Sequence, residues 1–158
     1  PGGRSVEEEA FFTVCGHSAP IHETTASLIA PLPEADGRPW PVWISFATPC
    51  TGTFLPVYLD GVIPAALARG GAAYSDDSAW WAFKALQDAA ASDFSQHTPQ
   101  LREEWSKFER ETERQRVDAE AQAADDPERA CEILSEFMSS CVARALERAS
   151  ALRRDTGA

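Results

Sequence analysis

The chain has 158 residues, 44% of them hydrophobic and 9% aromatic, enough to bury the core of one domain. Its net charge of -11 argues against nucleic acid and against an anionic membrane surface, since phosphates on either would be repelled. No apolar run approaches the roughly 20 residues that span a bilayer, and an opening that carries Glu7, Glu8 and Glu9 is no basic-then-apolar leader.

The chain opens Pro1-Gly2-Gly3 and soon reaches strand-like sequence, which reads as a cut inside a longer protein or a processed product. Phe11–Cys15 is aromatic and branched and predicts a first strand, ended by Gly16. Pro20 makes His17–His22 a loop. Thr24–Ala30 predicts a second strand. Ala26, Leu28 and Ala30 lie on one side of it and Thr25, Ser27 and Ile29 on the other, as for a strand covered on one face and facing a cavity or polar layer on the other. A proline-rich connection with Asp36-Gly37 as its tip leads to a third strand, Val42–Ala47, expected to pair antiparallel with the second. Thr48–Thr53 is a tight loop with Pro49 and Gly52. Phe54–Leu59 predicts a short edge strand interrupted by Pro56, and Pro64–Ala68 one helical turn.

The second half is helical. Ser78 is placed to cap a helix from Ala79 to about Ser92, with Ala79, Phe83, Leu86 and Ala90 as its apolar stripe. Thr98 and Pro99 predict the start of a second helix, with Leu101, Trp105, Phe108 and Thr112 on one face. Its far end, Glu109–Ala124, is almost wholly polar and is expected to run out into solvent. Asp126 and Pro127 predict a third helix, whose stripe through Ile133, Leu134, Phe137, Met138, Cys141, Val142, Ala145 and Leu146 is the cleanest in the chain. Strands followed by helices on one sheet face make an α+β fold.

The four cysteines are irregularly spaced and do not read as a disulfide framework. Cys131 and Cys141 sit on one predicted helix, roughly 15 Å apart, too far to bridge. A reducing, cytoplasmic compartment is the expectation.

Several pieces share an order and spacing with a known family. They are Thr13-Val14-Cys15-Gly16-His17, then Thr24-Thr25-Ala26-Ser27-Leu28-Ile29 with Leu32-Pro33, then Trp43 with Ala47-Thr48-Pro49-Cys50 and Phe54-Leu55-Pro56. Ser78-Ala79-Trp80-Trp81-Ala82-Phe83-Lys84-Ala85-Leu86 follows them. Together they resemble the dipeptidase A and secernin family of N-terminal nucleophile hydrolases, through about residue 115. The resemblance implies an αββα sandwich, here partial, with antiparallel strands followed by three helices. It implies hydrolysis of small peptide or amide bonds by an N-terminal Cys that serves as both nucleophile and base. Pro1 has no nucleophilic side chain, and all the matching pieces belong to the family's C-terminal half. The nucleophile is therefore expected outside this chain, with the missing N-terminal half as a partner. Residues 1–115 are read as that part of the domain and residues 116–158 as a helical extension. The alternative is a non-catalytic interaction module of the same fold. A half-sandwich exposes apolar sheet surface, so self-association or capture of the missing segment is expected.

Cys15 and His17 are candidates for a nucleophilic pair, since residues two apart on a strand share a face; a thiol ending an apolar strand is more often a buried small residue. Cys15, His17 and His22, with Cys50 as a fourth, have zinc-ligand chemistry, but their spacing matches no structural zinc pattern, so neither metal nor other cofactor is expected. Thr25, Ser27, Thr48 and Cys50 are the candidate substrate contacts, against the plainer reading of a polar sheet face and a Pro-Gly turn. Trp80 and Trp81 read as helix packing.

Overall fold

The computed structural model describes residues 14–16, 23–32 and 39–156. It is α+β: one three-stranded antiparallel sheet, followed by helices. Strand β1 is Ala26–Ile29, β2 is Val42–Phe46 and β3 is Leu55–Val57, in the order β1-β2-β3. The second and third predicted strands pair as expected, with Ala26 opposite Phe46 and Leu28 opposite Ile44. The hairpin tip Asp36-Gly37 lies outside the described residues. β3 pairs with β2 through Val57–Val42 and Leu55–Ile44. Pro56 has no N–H to give a ladder, which suits a strand at the sheet edge.

The first predicted strand differs. Val14 and Cys15 form a turn, and Gly16 has a positive φ of 56°. Phe11–Thr13 lie outside the described residues. The turn is tied to the start of β1, where Thr24 donates from N to the Cys15 carbonyl at 3.1 Å and from Oγ1 to the Val14 carbonyl at 2.7 Å.

After one turn of helix, α1 (Ala65–Ala68), the chain forms α2 (Ala79–Ala90). Ser78 caps it, its Oγ accepting from Trp81 N. A 3-10 turn at Ala91–Asp93 leads into α3, Phe94–Asp125. This corrects the predicted start at Thr98-Pro99. Asp93 is the cap, with Oδ1 accepting from Gln96 N at 3.2 Å and from Ser95 Oγ at 2.9 Å. Pro99 lies inside the helix and withholds a hydrogen bond from the Ser95 carbonyl. Ser95 is exposed, so water can reach that carbonyl. Helix α4, Ala130–Asp155, begins after a turn in which Arg129 N donates to Asp126 O, so Asp126 and Pro127 start the turn and not the helix.

Two apolar clusters hold the elements together. In the first, Leu55 of β3, Phe83 and Leu86 of α2, Leu101, Trp105 and Phe108 of α3, and Cys141, Val142 and Ala145 of α4 are buried together. Trp105 sits between Phe83 and Phe108, with ring centroids 5.6 and 5.8 Å away. Each buried aliphatic or aromatic side chain here contributes about 1.5–3 kcal/mol over exposure.

The second cluster joins Val57 and Tyr58 to Ala119 and Ala123 of α3 and to Leu134, Phe137 and Met138 of α4. It corrects the expectation that Glu109–Ala124 runs into solvent. Thr112, Ala119 and Ala123 are buried, and small side chains let α3 and α4 approach closely. Tyr58 Oη donates to Glu120 Oε1 at 2.5 Å, and Arg116 bridges Glu120 and Glu113. The polar sequence of this stretch hides three small buried residues, Thr112, Ala119 and Ala123. Residues 116–158 thus contribute to both clusters.

The helices do not cover the sheet evenly. α2 packs on β2 and α4 on β3. Leu55, Pro56 and Val57 are all buried. On β1, Leu28 is 66% exposed and Ile29 54%, although they point to opposite faces. Among the described residues no helix covers either side of β1, in place of the one covered face expected.

Candidate functional site: the loop after strand β2

The loop from Ala47 to Thr53 gathers most of the long-range polar contacts near the sheet. Ala47 ends β2 with a φ of 58°, in the left-handed region that costs an L-residue roughly 1–2 kcal/mol. Its N–H still donates to the Thr25 carbonyl at 2.8 Å, so β1 holds the corner. Trp80 Nε1 donates to the same carbonyl at 3.0 Å and pins it to α2.

Beyond the corner the loop is fixed from inside and from two helices. The Thr48 carbonyl accepts from Thr51 N at 3.1 Å, Gly52 N at 3.2 Å and Thr51 Oγ1 at 3.1 Å. Pro49 occupies the turn position that its fixed φ favours. A Cβ on Gly52 would sit 3.1 Å from the Phe46 carbonyl and 3.3 Å from Ser45 Oγ, so the close approach favours a glycine. From α2, Gln87 Oε1 accepts from Thr48 N at 2.8 Å. Gln87 Nε2 donates to Glu23 Oε2 at 2.7 Å, and Glu23 pairs with Lys84 at 3.3 Å. From α3, Trp105 Nε1 donates to the Thr51 carbonyl at 2.9 Å and Arg102 to the Gly52 carbonyl at 2.7 Å. Thr53 Oγ1 donates to Glu109 Oε1 at 3.0 Å.

Of the predicted substrate contacts, Thr48 is fully buried, its hydroxyl 3.1 Å from that of Thr51. It is a structural member of the loop with no exposed surface to offer. Thr25 is exposed but acts here through its carbonyl. Ser27 is half-buried and lies opposite Ser45, whose Oγ is buried with no hydrogen-bond partner among the described residues. Cys50 is half-buried on the rim, and its Sγ donates to Thr48 Oγ1 at 3.5 Å.

Cys15, 35 positions earlier, is also half-buried. Burial pushes the Cys50 thiol up to about 11, and the Thr48 hydroxyl partly opposes it. At neutral pH Cys50 is therefore a thiol, the wrong state for attack. His17 and His22 lie outside the described residues, so the predicted Cys15–His17 pair and the zinc set are untouched at those members. Among the described residues there is no group of three or more His, Cys, Asp or Glu side chains able to hold a metal.

Sequence reasoning missed Gln87, Glu23, Arg102 and the role of Trp105. Gln87 alone left a signal: it stands four residues after Phe83, a polar residue on the buried stripe of α2. A separate cleft of about 310 Å³ lies between the hairpin and α3, lined by Ile29, Trp40, Trp43, Glu113 and Arg116. A larger one between α3 and α4 is lined by Arg144 and Arg148, which pair with Glu111 and Glu104 and lie over the Phe108 ring. Both of its arginines are thus paired with carboxylates.

No helix among the described residues is long and apolar enough to cross a membrane. Comparison of the chain with family models, with curated proteins and with solved structures gives no match.

Proposed function

We propose that the chain supplies one sheet and its helical backing to an amide hydrolase of the dipeptidase A and secernin type. Its substrates would be dipeptides or related small amides, and the attacking thiol would lie on polypeptide outside these residues. The observation that carries this reading is the uneven cover of the sheet. β3 is buried beneath helices, while β1 stands at an edge with Leu28 and Ile29 exposed. In an αββα plan a second sheet packs face to face on the first, and the exposed face of β1 is where it would lie. The Ala47–Thr53 loop would then form a fixed wall of the substrate cavity, with Cys50 as its accessible member and Ser27 of β1 as a further contact.

A second reading is a non-catalytic interaction module of the same architecture. The protonated state of Cys50 fits it, since the loop contributes no attacking group, and fits equally a nucleophile supplied from outside these residues. One experiment separates the two. The complete gene product is assayed against a panel of dipeptides, before and after thiol alkylation. Hydrolysis that alkylation abolishes supports the enzyme. No hydrolysis in either state supports the module.

A further inference from the structure

We propose that the cleft between the β1–β2 hairpin and α3 binds a small organic cation, an alkylammonium with an apolar body. Its volume of about 310 Å³ suits a small ligand. The cleft opens at the start of β2 and the Ala47–Thr53 loop lies at its end, so the two sites are separate. Its walls come from three segments. Ile29 of β1 stands opposite Trp43 of β2 in the ladder, so their side chains share a face. Pro31, Trp40 and Pro41 flank them just outside the strands. Ile29 and Trp40 are exposed and Trp43 is half-buried, so indole surface is accessible there. Helix α3 closes the cleft with Glu113 and Arg116.

Charge decides what the cleft takes. Arg116 is engaged on both sides: Nε and Nη2 each donate to Glu113 at 2.7 Å, and Nη1 donates to Glu120 at 2.5 Å. Two carboxylates thus share one guanidinium, which leaves one negative charge over. Arg116 holds the Glu113 carboxyl below its usual range, so Glu113 is ionised at neutral pH. Its side chain is exposed, and it accepts two of the roughly four hydrogen bonds that a carboxylate can take. An indole face attracts a cation through its quadrupole, more strongly than any other side-chain ring. An ammonium seated here has its charge beside Glu113 and its alkyl groups against Trp40, Trp43 and Ile29. An anion would meet the surplus negative charge, and the net charge of -11 opposes it from farther away.

The test follows the indole N–H signals of the full chain by NMR. It is titrated with choline, with dimethylbutanol as the uncharged analogue of the same shape, and with a polyproline peptide, which aromatic grooves also take. Choline should shift the Trp40 and Trp43 signals to saturation and leave those of Trp80, Trp81 and Trp105 in place. Dimethylbutanol should bind about tenfold more weakly, through loss of the cation–π and carboxylate contacts together. Glu113→Gln, at an exposed position, should weaken choline about threefold to fivefold. Trp40→Ala should abolish the saturable shift of Trp43. Circular dichroism checks that each variant keeps the fold. The absence of a saturable shift with choline, equal affinity for dimethylbutanol, unchanged affinity in Glu113→Gln, or tighter binding of polyproline than of choline would each overturn the proposal.

Discussion

The two edges of the sheet are built on opposite terms. β3 is short and contains a proline, yet all three of its residues are buried, because α3 and α4 close over it. β1 is longer and has a full ladder to β2, yet its Leu28 and Ile29 face solvent. Ladder hydrogen bonds therefore do not decide which edge is secure. The β3 side is held by side-chain packing, and the β1 side by polar ties from Trp80 and Ala47 to a single carbonyl, that of Thr25.

The largest expected effect tests the packed side. Trp105→Ala removes a fully buried ring wedged between Phe83 and Phe108 and the donor to the Thr51 carbonyl. Urea unfolding should show a loss of about 3–5 kcal/mol. A loss under about 1 kcal/mol would mean that the first cluster is not what secures β3.

Next is Tyr58→Phe, which leaves the ring in the second cluster and deletes the hydroxyl on Glu120. The same measurement should give a loss of about 1.5–3 kcal/mol, the range for a hydrogen bond to a charged group. An unchanged unfolding midpoint would place the value of Tyr58 in its ring alone.

Alkali should strain the same side. Burial pushes the Cys141 thiol from 9.0 up to about 11 in the folded chain. A folded value above the unfolded one means that the folded state holds the proton more tightly. Its contribution is then full below pH 9 and is lost as pH rises through 11. Cys50 follows the same course, and the Tyr58 phenol, raised by burial and by the Glu120 carboxylate, extends it to higher pH. Stability should fall from pH 9 upward, and Cys141→Ala should flatten that fall without abolishing it. Equal slopes in the two proteins would show that Cys141 titrates as freely in the fold as outside it.

The smallest expected effect belongs to the open side. Ile29→Lys should change the stability of the monomer by no more than about 0.5 kcal/mol. It should also weaken any concentration-dependent association seen by light scattering. A loss above about 1.5 kcal/mol would mean that β1 is covered, and the contrast between the edges would collapse.

Much of this arrangement was legible from the residues. The β1–β2 pairing followed from period-two sequence on either side of a turn signal. The Ser78 cap and the stripe of α4 followed from spacing alone. The start of α3 did not, because Pro99 is the louder signal locally and Asp93 caps a helix that tolerates a proline in its second turn. Ala119 and Ala123 were lost among charges, since an alanine carries little weight in an apolar pattern until a partner helix meets it. The site was legible only in part. Thr48 and Cys50 were singled out, but the contacts that fix their loop come from Gln87, Arg102 and Trp105, tens of residues away. No local pattern encodes a meeting of that kind.

The left-handed turn at Ala47 carries a last consequence. One backbone angle swings the chain out of the plane of the strands, so that successive amides answer to different masters: Ala47 to a strand, Thr48 to a helix. The direction of everything from Pro49 to Thr53 is inherited from that single rotation. The rim is therefore held in one shape by its ties to α2 and α3, the preorganisation that lowers the ordering cost of any docking there.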